Sequence, residues 1–94
     1  MNELLSIEEY CRLHSAAPEF LFELEQIGLI EFVSQKSTKY ISIDKLNDLE
    51  RFRVWHYELH INVEGIDVIQ NLLAKQREMN RRISELERSL KFYE

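Results

Sequence analysis

The stretch Asn62-Val63-Glu64-Gly65-Ile66-Asp67-Val68-Ile69 opens the last third of the chain and decides how the rest is read. Asn62 is a helix-capping residue type, and the run from Ile66 to Tyr93 contains no Gly or Pro. Apolar residues recur through it at alternating spacings of three and four. Ile69, Gln76, Ile83 and Leu90 fall on one heptad position, and Leu72, Met79, Leu86 and Tyr93 fall on the other. A chain of 94 residues cannot bury such a seam by folding on itself alone. The spacing therefore predicts a homodimer held by the C-terminal helix. Gln76, polar at a core position, weakens the seam while restricting its register. Arg77, Glu78, Arg81, Arg82, Glu85, Glu87 and Arg88 read mostly as a solvated face. Two competing readings are a long helix folded back on its own domain and a scaffold that pairs with a different chain. A bend near Ala74 is expected, where globular part gives way to seam.

Upstream, Ser6 with Glu9 three residues later reads as a capping box opening a helix over 7–14. Ile7, Tyr10, Cys11 and His14 share one face of it. Ser15-Ala16-Ala17 is a turn, and Pro18 suits the first turn of a second helix, where its missing amide costs nothing. That helix carries a core stripe of Phe20, Leu21, Leu24 and Ile27 and ends at Gly28. The period then shortens. Residues 29–33 and 39–43 are rich in β-branched and aromatic side chains, and the polar 34–38 between them reads as a five-residue hairpin loop. Asp44 is placed to cap a third helix over 45–60, with Leu46, Leu49, Phe52, Val54, Trp55 and Leu59 as its apolar positions. Two short helices, a hairpin and further helices make a mainly α, winged helix-turn-helix domain over residues 1–62. A dimerisation helix follows over 63–94.

Composition narrows the function. With two Gly and one Pro, long loops and most nucleotide-binding loops are excluded. No Gly-rich phosphate loop and no Ser-His-Asp or Cys-His arrangement can be assembled, so the chain reads as a non-enzyme. One cysteine, Cys11, leaves no internal disulfide framework. No apolar run approaches the roughly 20 residues of a membrane span, and Met1-Asn2-Glu3-Leu4-Leu5 lacks the features of a signal peptide. A cytoplasmic protein without membrane contact is expected. His56 and His60 are four apart, but His14 and Cys11 could complete a metal set only by coincidence. No metal or cofactor is expected. Arg51, Arg53, Trp55 and Tyr57 could imitate a nucleic-acid stacking platform, yet core aromatics beside paired basic residues suit them better.

Charge is uneven. Residues 1–50 hold four basic and ten acidic side chains, a balance of −6, while residues 51–94 hold eight and seven, a balance of +1. An acidic surface repels phosphate and attracts basic proteins. The segment Glu19-Phe20-Leu21-Phe22-Glu23-Leu24-Glu25 occupies the helix that would enter a DNA groove, and it has no Lys or Arg. Glu19 and Glu23 share a face, with Phe22 beside them as a candidate aromatic anchor or a residue packed under the wing. Glu19, Phe22, Glu23 and Glu25 are accordingly the candidate partner-binding residues. A solvated polar face is the plainer reading of the glutamates. Lys36 and Lys39 in the wing, with Lys45 nearby, are too few to offset them.

These residues resemble a known family. The element order and Ile27-Gly28-Leu29-Ile30-Glu31 look like the MerR-type regulators. More closely, Ser6-Ile7-Glu8-Glu9-Tyr10-Cys11, the junction from His56 to Ile69 and the ending Arg88-Ser89-Leu90-Lys91-Phe92-Tyr93-Glu94 resemble the CbpM-like chaperone modulators. That resemblance implies a regulator that binds the J-domain of a CbpA-like co-chaperone and modulates its work with Hsp70. It also implies antiparallel pairing of the C-terminal helices. An acidic modulator suits the basic helix of a J-domain. The alternative is a MerR-type DNA-binding transcriptional regulator. Its reading helix ordinarily carries an Arg followed by a Tyr-Glu element, which this chain lacks.

Overall fold

A computed structural model describes residues 3–93. Met1 and Asn2, which open the stretch weighed as a signal peptide, and Glu94, which closes the stretch that resembles the chaperone modulators, lie outside the described residues. The elements run β1 (Leu4–Ser6), α1 (Ile7–His14), α2 (Pro18–Ile27), β2 (Val33–Gln35), β3 (Thr38–Ser42), a 3-10 turn (Ile43–Lys45), α3 (Leu46–Tyr57) and α4 (Val63–Tyr93). This is a winged helix-turn-helix with a long C-terminal helix, as the periodicities require.

The N-terminus carries an element that its sequence did not announce. Residues 4–6 form a strand that pairs antiparallel with β3, Leu5 opposite Ile41, so the sheet has three strands in the order β1-β3-β2. Three residues are too few for a visible alternation. Ser6 ends the strand and caps α1, its Oγ accepting from the Glu9 amide at 3.1 Å. The return half of the capping box is replaced, because the Glu9 carboxylate turns to Arg12 instead.

α2 begins at Pro18 with no capping side chain on Ala17. The Ala17 amide donates to the Tyr57 hydroxyl at 2.8 Å, which ties the turn to the end of α3. Gly28 closes α2 at φ 91°, its N–H reaching back to Glu25 and Leu24 carbonyls. An L-residue there costs roughly 1–2 kcal/mol. Ile27, expected on the core stripe, is exposed, since the stripe narrows to Phe20, Leu21 and Leu24 as the helix leaves the core.

The wing is shorter-looped than expected, and its first strand starts later in the chain. Residues 29–32 are the link from α2, with Ile30 buried, while Val33–Gln35 pairs with Thr38–Ser42 through a two-residue turn. Lys36 and Ser37 both have positive φ, 49° and 66°, which fits the twist of a two-residue hairpin. α3 starts at Leu46, after a 3-10 turn, and lacks the Asp44 cap. Asp44 accepts from the Ser42 hydroxyl instead. The helix stops at Tyr57 rather than His60, and Leu59 is exposed beyond it. His60 turns left-handed at φ 59°, and the Ile61 amide returns to the Trp55 carbonyl.

α4 starts as its sequence requires. Asn62 Oδ1 accepts from the Gly65 amide at 2.8 Å. A Cβ on Gly65 would lie 2.8 Å from Ile61 Cγ2 and 3.0 Å from that same Oδ1, so the close approach of loop to helix needs glycine. Val63 and Ile66 plug into the core beside Tyr10, Phe20, Leu21, Leu24, Ile41, Leu49 and Phe52. α4 then continues unbroken through Ala74, where a bend was expected; no Gly or Pro interrupts its hydrogen bonds. Its 31 residues span about 46 Å. From Ala74 to Tyr93 every residue is exposed, so the helix does not fold back on its own domain.

Candidate functional site

α2 is anchored from below and free above. Phe20 stacks on the His56 ring at 4.3 Å and meets Tyr57 edge-on at 5.5 Å. Leu21 and Leu24 are fully buried. This fixes the opposite side, where Glu19, Phe22, Glu23, Gln26 and Ile27 are exposed. Glu19 and Glu23 form no ion pair among the described residues. Phe22 is 45% exposed, so it is not packed away beneath the wing. Much of its ring faces water.

Glu25 sits apart from the other two carboxylates. It is half-buried and receives the Lys39 ammonium at 2.8 Å. Lys39 Nζ also lies 5.4 Å from the centre of the Phe22 ring. The wing cation is thus engaged by α2 itself. The pairing of Lys39 with Glu25, fourteen residues away, depends on hairpin register, which sequence spacing does not fix. A shallow groove opens beside it, between the start of α2 (Pro18, Phe22), α1 (Ile7, Glu8) and the wing turn (Ser37, Thr38, Lys39). Lys36 at the wing tip and Lys45 before α3 have no ion pair among the described residues.

A second polar cluster lies beneath, between α1 and α3. Tyr10 is fully buried, and its hydroxyl donates to Glu50 Oε1 at 2.6 Å. Arg53 grips the same carboxylate at 2.8 Å, and His14 Nδ1 stands 3.5 Å away. Burial pushes the Tyr10 phenol far above its ordinary range, with Glu50 adding to the shift. The Arg53 hydrogen bonds hold Glu50 below the usual carboxylate range. Burial, and then the charge of Glu19, raise the Cys11 thiol. Glu50 on α3 thus joins Tyr10 of α1 to Arg53, and the raised Cys11 stays a thiol.

The other residues weighed from sequence are occupied. His56 Nδ1 lies 2.9 Å from the Ile61 carbonyl, and His60 has left the helix, so the two do not share a face. Among the described residues no group of three or more His, Cys, Asp or Glu could hold a metal. Arg51 lies 5.6 Å from both the Phe52 and Trp55 rings and bonds Asp48 and Gln70. No helix among the described residues is long and apolar enough to cross a membrane.

The eight seam residues lie along α4. Ile69 is half-buried at the head, and Leu72, Gln76, Met79, Ile83, Leu86, Leu90 and Tyr93 are exposed.

Comparison with known families gives one result. A family model described as MerR HTH family regulatory protein matches residues 5–88, from β1 through most of α4. No curated protein and no solved structure matches.

Proposed function

The chain belongs to the MerR helix-turn-helix regulatory family, and from that premise we propose that this regulator acts by binding a protein instead of DNA. Its partner is the J-domain of a CbpA-like co-chaperone, whose work with Hsp70 it modulates. One observation carries the reading. The face of α2 that a DNA-reading relative would turn to phosphate presents Glu19 and Glu23 around an exposed Phe22, and the adjoining wing cation Lys39 is held by Glu25. A phosphate contact requires a hydrogen-bond donor, and most of the affinity for a duplex comes from cations. Two unpaired carboxylates on that face repel the duplex and suit a basic helix, with Phe22 as the apolar anchor. The J-domain itself enters through the resemblance of the α1 start and the helix junction to the CbpM-like modulators.

The second reading is a DNA-binding transcriptional regulator. Lys36, exposed at the wing tip, favours it, because a wing tip can reach a phosphate. Two titrations separate the readings. Calorimetry with the cognate J-domain at low salt should show micromolar or tighter binding that weakens as salt is added. Heparin and random duplex DNA should retain little of the protein. Absence of heat with the J-domain, or strong salt-sensitive retention on duplex DNA, would transfer the assignment to the DNA-binding reading.

A further inference from the structure

We propose that the hollow between α2 and the first turn of α4 receives one Lys or Arg side chain of the partner's basic helix, so that Glu64 of α4 belongs to the binding face. This placement rests on the J-domain reading above. The hollow measures about 340 Å³ and is lined by Glu23, Gln26, Ile27, Val63 and Glu64. The start of α4 builds it. Asn62 caps the helix, Val63 is buried in the core, and Glu64, about 100° further round, comes out exposed beside α2.

Two hollows flank the exposed ridge of α2, and their charge differs. On the wing side, Ile7, Pro18, Phe22 and Thr38 surround a space that Glu8 and Lys39 also line. Lys39 Nζ already bonds Glu25 there and repels a second cation. On the α4 side no Lys or Arg lines the hollow. Glu23 and Glu64 make no ion pair among the described residues, so a carboxylate from each helix stands free at its rim. Glu19, one turn before Glu23, extends the same negative edge along α2.

The hollow matches a basic side chain in its apolar part as well. Ile27 is 37% exposed there. Lys and Arg carry an apolar stem beneath the charge, so the stem covers Ile27 while the head stands between Glu23 and Glu64. Arg suits the place better, because its planar guanidinium has donors for two carboxylates at once. A leucine would cover Ile27 but leave both carboxylates without a cation. An acidic side chain or a phosphate would be repelled. Glu19 then meets a second basic residue, three or four positions from the first on the partner's helix. Phe22 borders that helix from the wing side of the ridge.

The test compares matched charge reversals in the full chain. Glu64 and Glu8 are both exposed glutamates in the first turn of a helix, one on each hollow. In calorimetry with the cognate J-domain at low salt, Glu64→Lys should raise Kd roughly 2- to 30-fold, from attraction lost and repulsion gained. Glu8→Lys should raise it less. An unchanged Kd in Glu64→Lys, or an equal or larger loss in Glu8→Lys, would overturn the proposal and leave the J-domain reading standing. No binding by the unmodified chain would overturn both. Thermal melting checks the fold, and Glu64→Gln, which keeps the side chain's size, should shift Kd in the same direction. A double-mutant cycle then identifies the occupant. With each Lys and Arg of the J-domain helix changed to Ala in turn, the effect of one of them should shrink in Glu64→Gln. Additive effects at every position would contradict a shared cation. A smaller mass for Glu64→Lys than for the unmodified chain in light scattering would assign the hollow to a second copy and overturn the proposal.

Discussion

Reversing the two unpaired carboxylates on α2 is the perturbation with the clearest expected size. Glu19 and Glu23 are exposed, a helical turn apart, and without ion pairs among the described residues. Glu19→Lys with Glu23→Lys removes no hydrogen bond from the head, so the fold should survive with only the small loss of a favourable first-turn charge at position 19. Against a basic partner, each exposed charge pair contributes modestly. Reversal replaces that attraction by a comparable repulsion, at two positions. At about 0.2–1 kcal/mol per pair, the four changes sum to about 0.8–4 kcal/mol, roughly a 4- to 900-fold rise in Kd for the J-domain at low salt. Screening decides the rest. The Debye length falls from about 30 Å at 0.01 M to about 3 Å at 1 M salt, so the variant and the unmodified protein should converge as salt rises. Calorimetry at several salt concentrations measures both quantities, with thermal melting as the control for folding. An unchanged Kd at low salt, in a variant that melts normally, refutes the placement of the partner on this face.

Other outcomes test the architecture. Tyr10→Phe removes a buried hydroxyl donor to Glu50 and should cost about 1–2 kcal/mol in urea unfolding, because Arg53 still satisfies the carboxylate. Glu50 is held below its ordinary range in the fold, so it stabilises above about pH 4–5, and that contribution is lost as pH falls through its folded value. The raised Tyr10 phenol contributes below about pH 10, and its contribution fades at higher pH. Stability followed against pH should therefore fall at both ends, with the acid limb reduced in Glu50→Gln. Asn62→Ala removes the acceptor for the Gly65 amide and should cost about 1 kcal/mol, read by the same unfolding assay. Lys36→Asn with Ser37→Gly supplies residues suited to positive φ at the wing turn and should raise stability by about 1 kcal/mol.

Helix starts were legible wherever a specific residue type makes them. Ser6, Pro18 and Asn62 mark α1, α2 and α4, and Gly28 marks the end of α2 in the left-handed region that its place implied. Asp44 failed as a marker because Ser42 offered it a nearer hydrogen bond and a 3-10 turn intervened. The end of α3 was hidden for a different reason. His56, Leu59 and His60 continue an acceptable helical pattern, and only the bonds of Ile61 back to Trp55 and His56 break it. Only the first wing strand begins well past its expected place, because Leu29, Ile30 and Phe32 are apolar for packing, without belonging to the sheet; Ile30 is buried in the core, and the second strand lies one residue from its expected span. On the site, helical spacing was enough to group Glu19 with Glu23 and to set Phe22 off the core stripe. The bond between Glu25 and Lys39 required the tertiary approach of hairpin to helix, which no local pattern encodes.

The most direct measurement is amide chemical-shift mapping on the isotope-labelled chain, titrated separately with an unlabelled cognate J-domain and with duplex DNA. The account predicts that the J-domain moves resonances of residues 18–27 and of the wing beside them, while DNA leaves those positions in place. Shifts of α2 and the wing on DNA addition, or J-domain shifts confined to other elements, would contradict it.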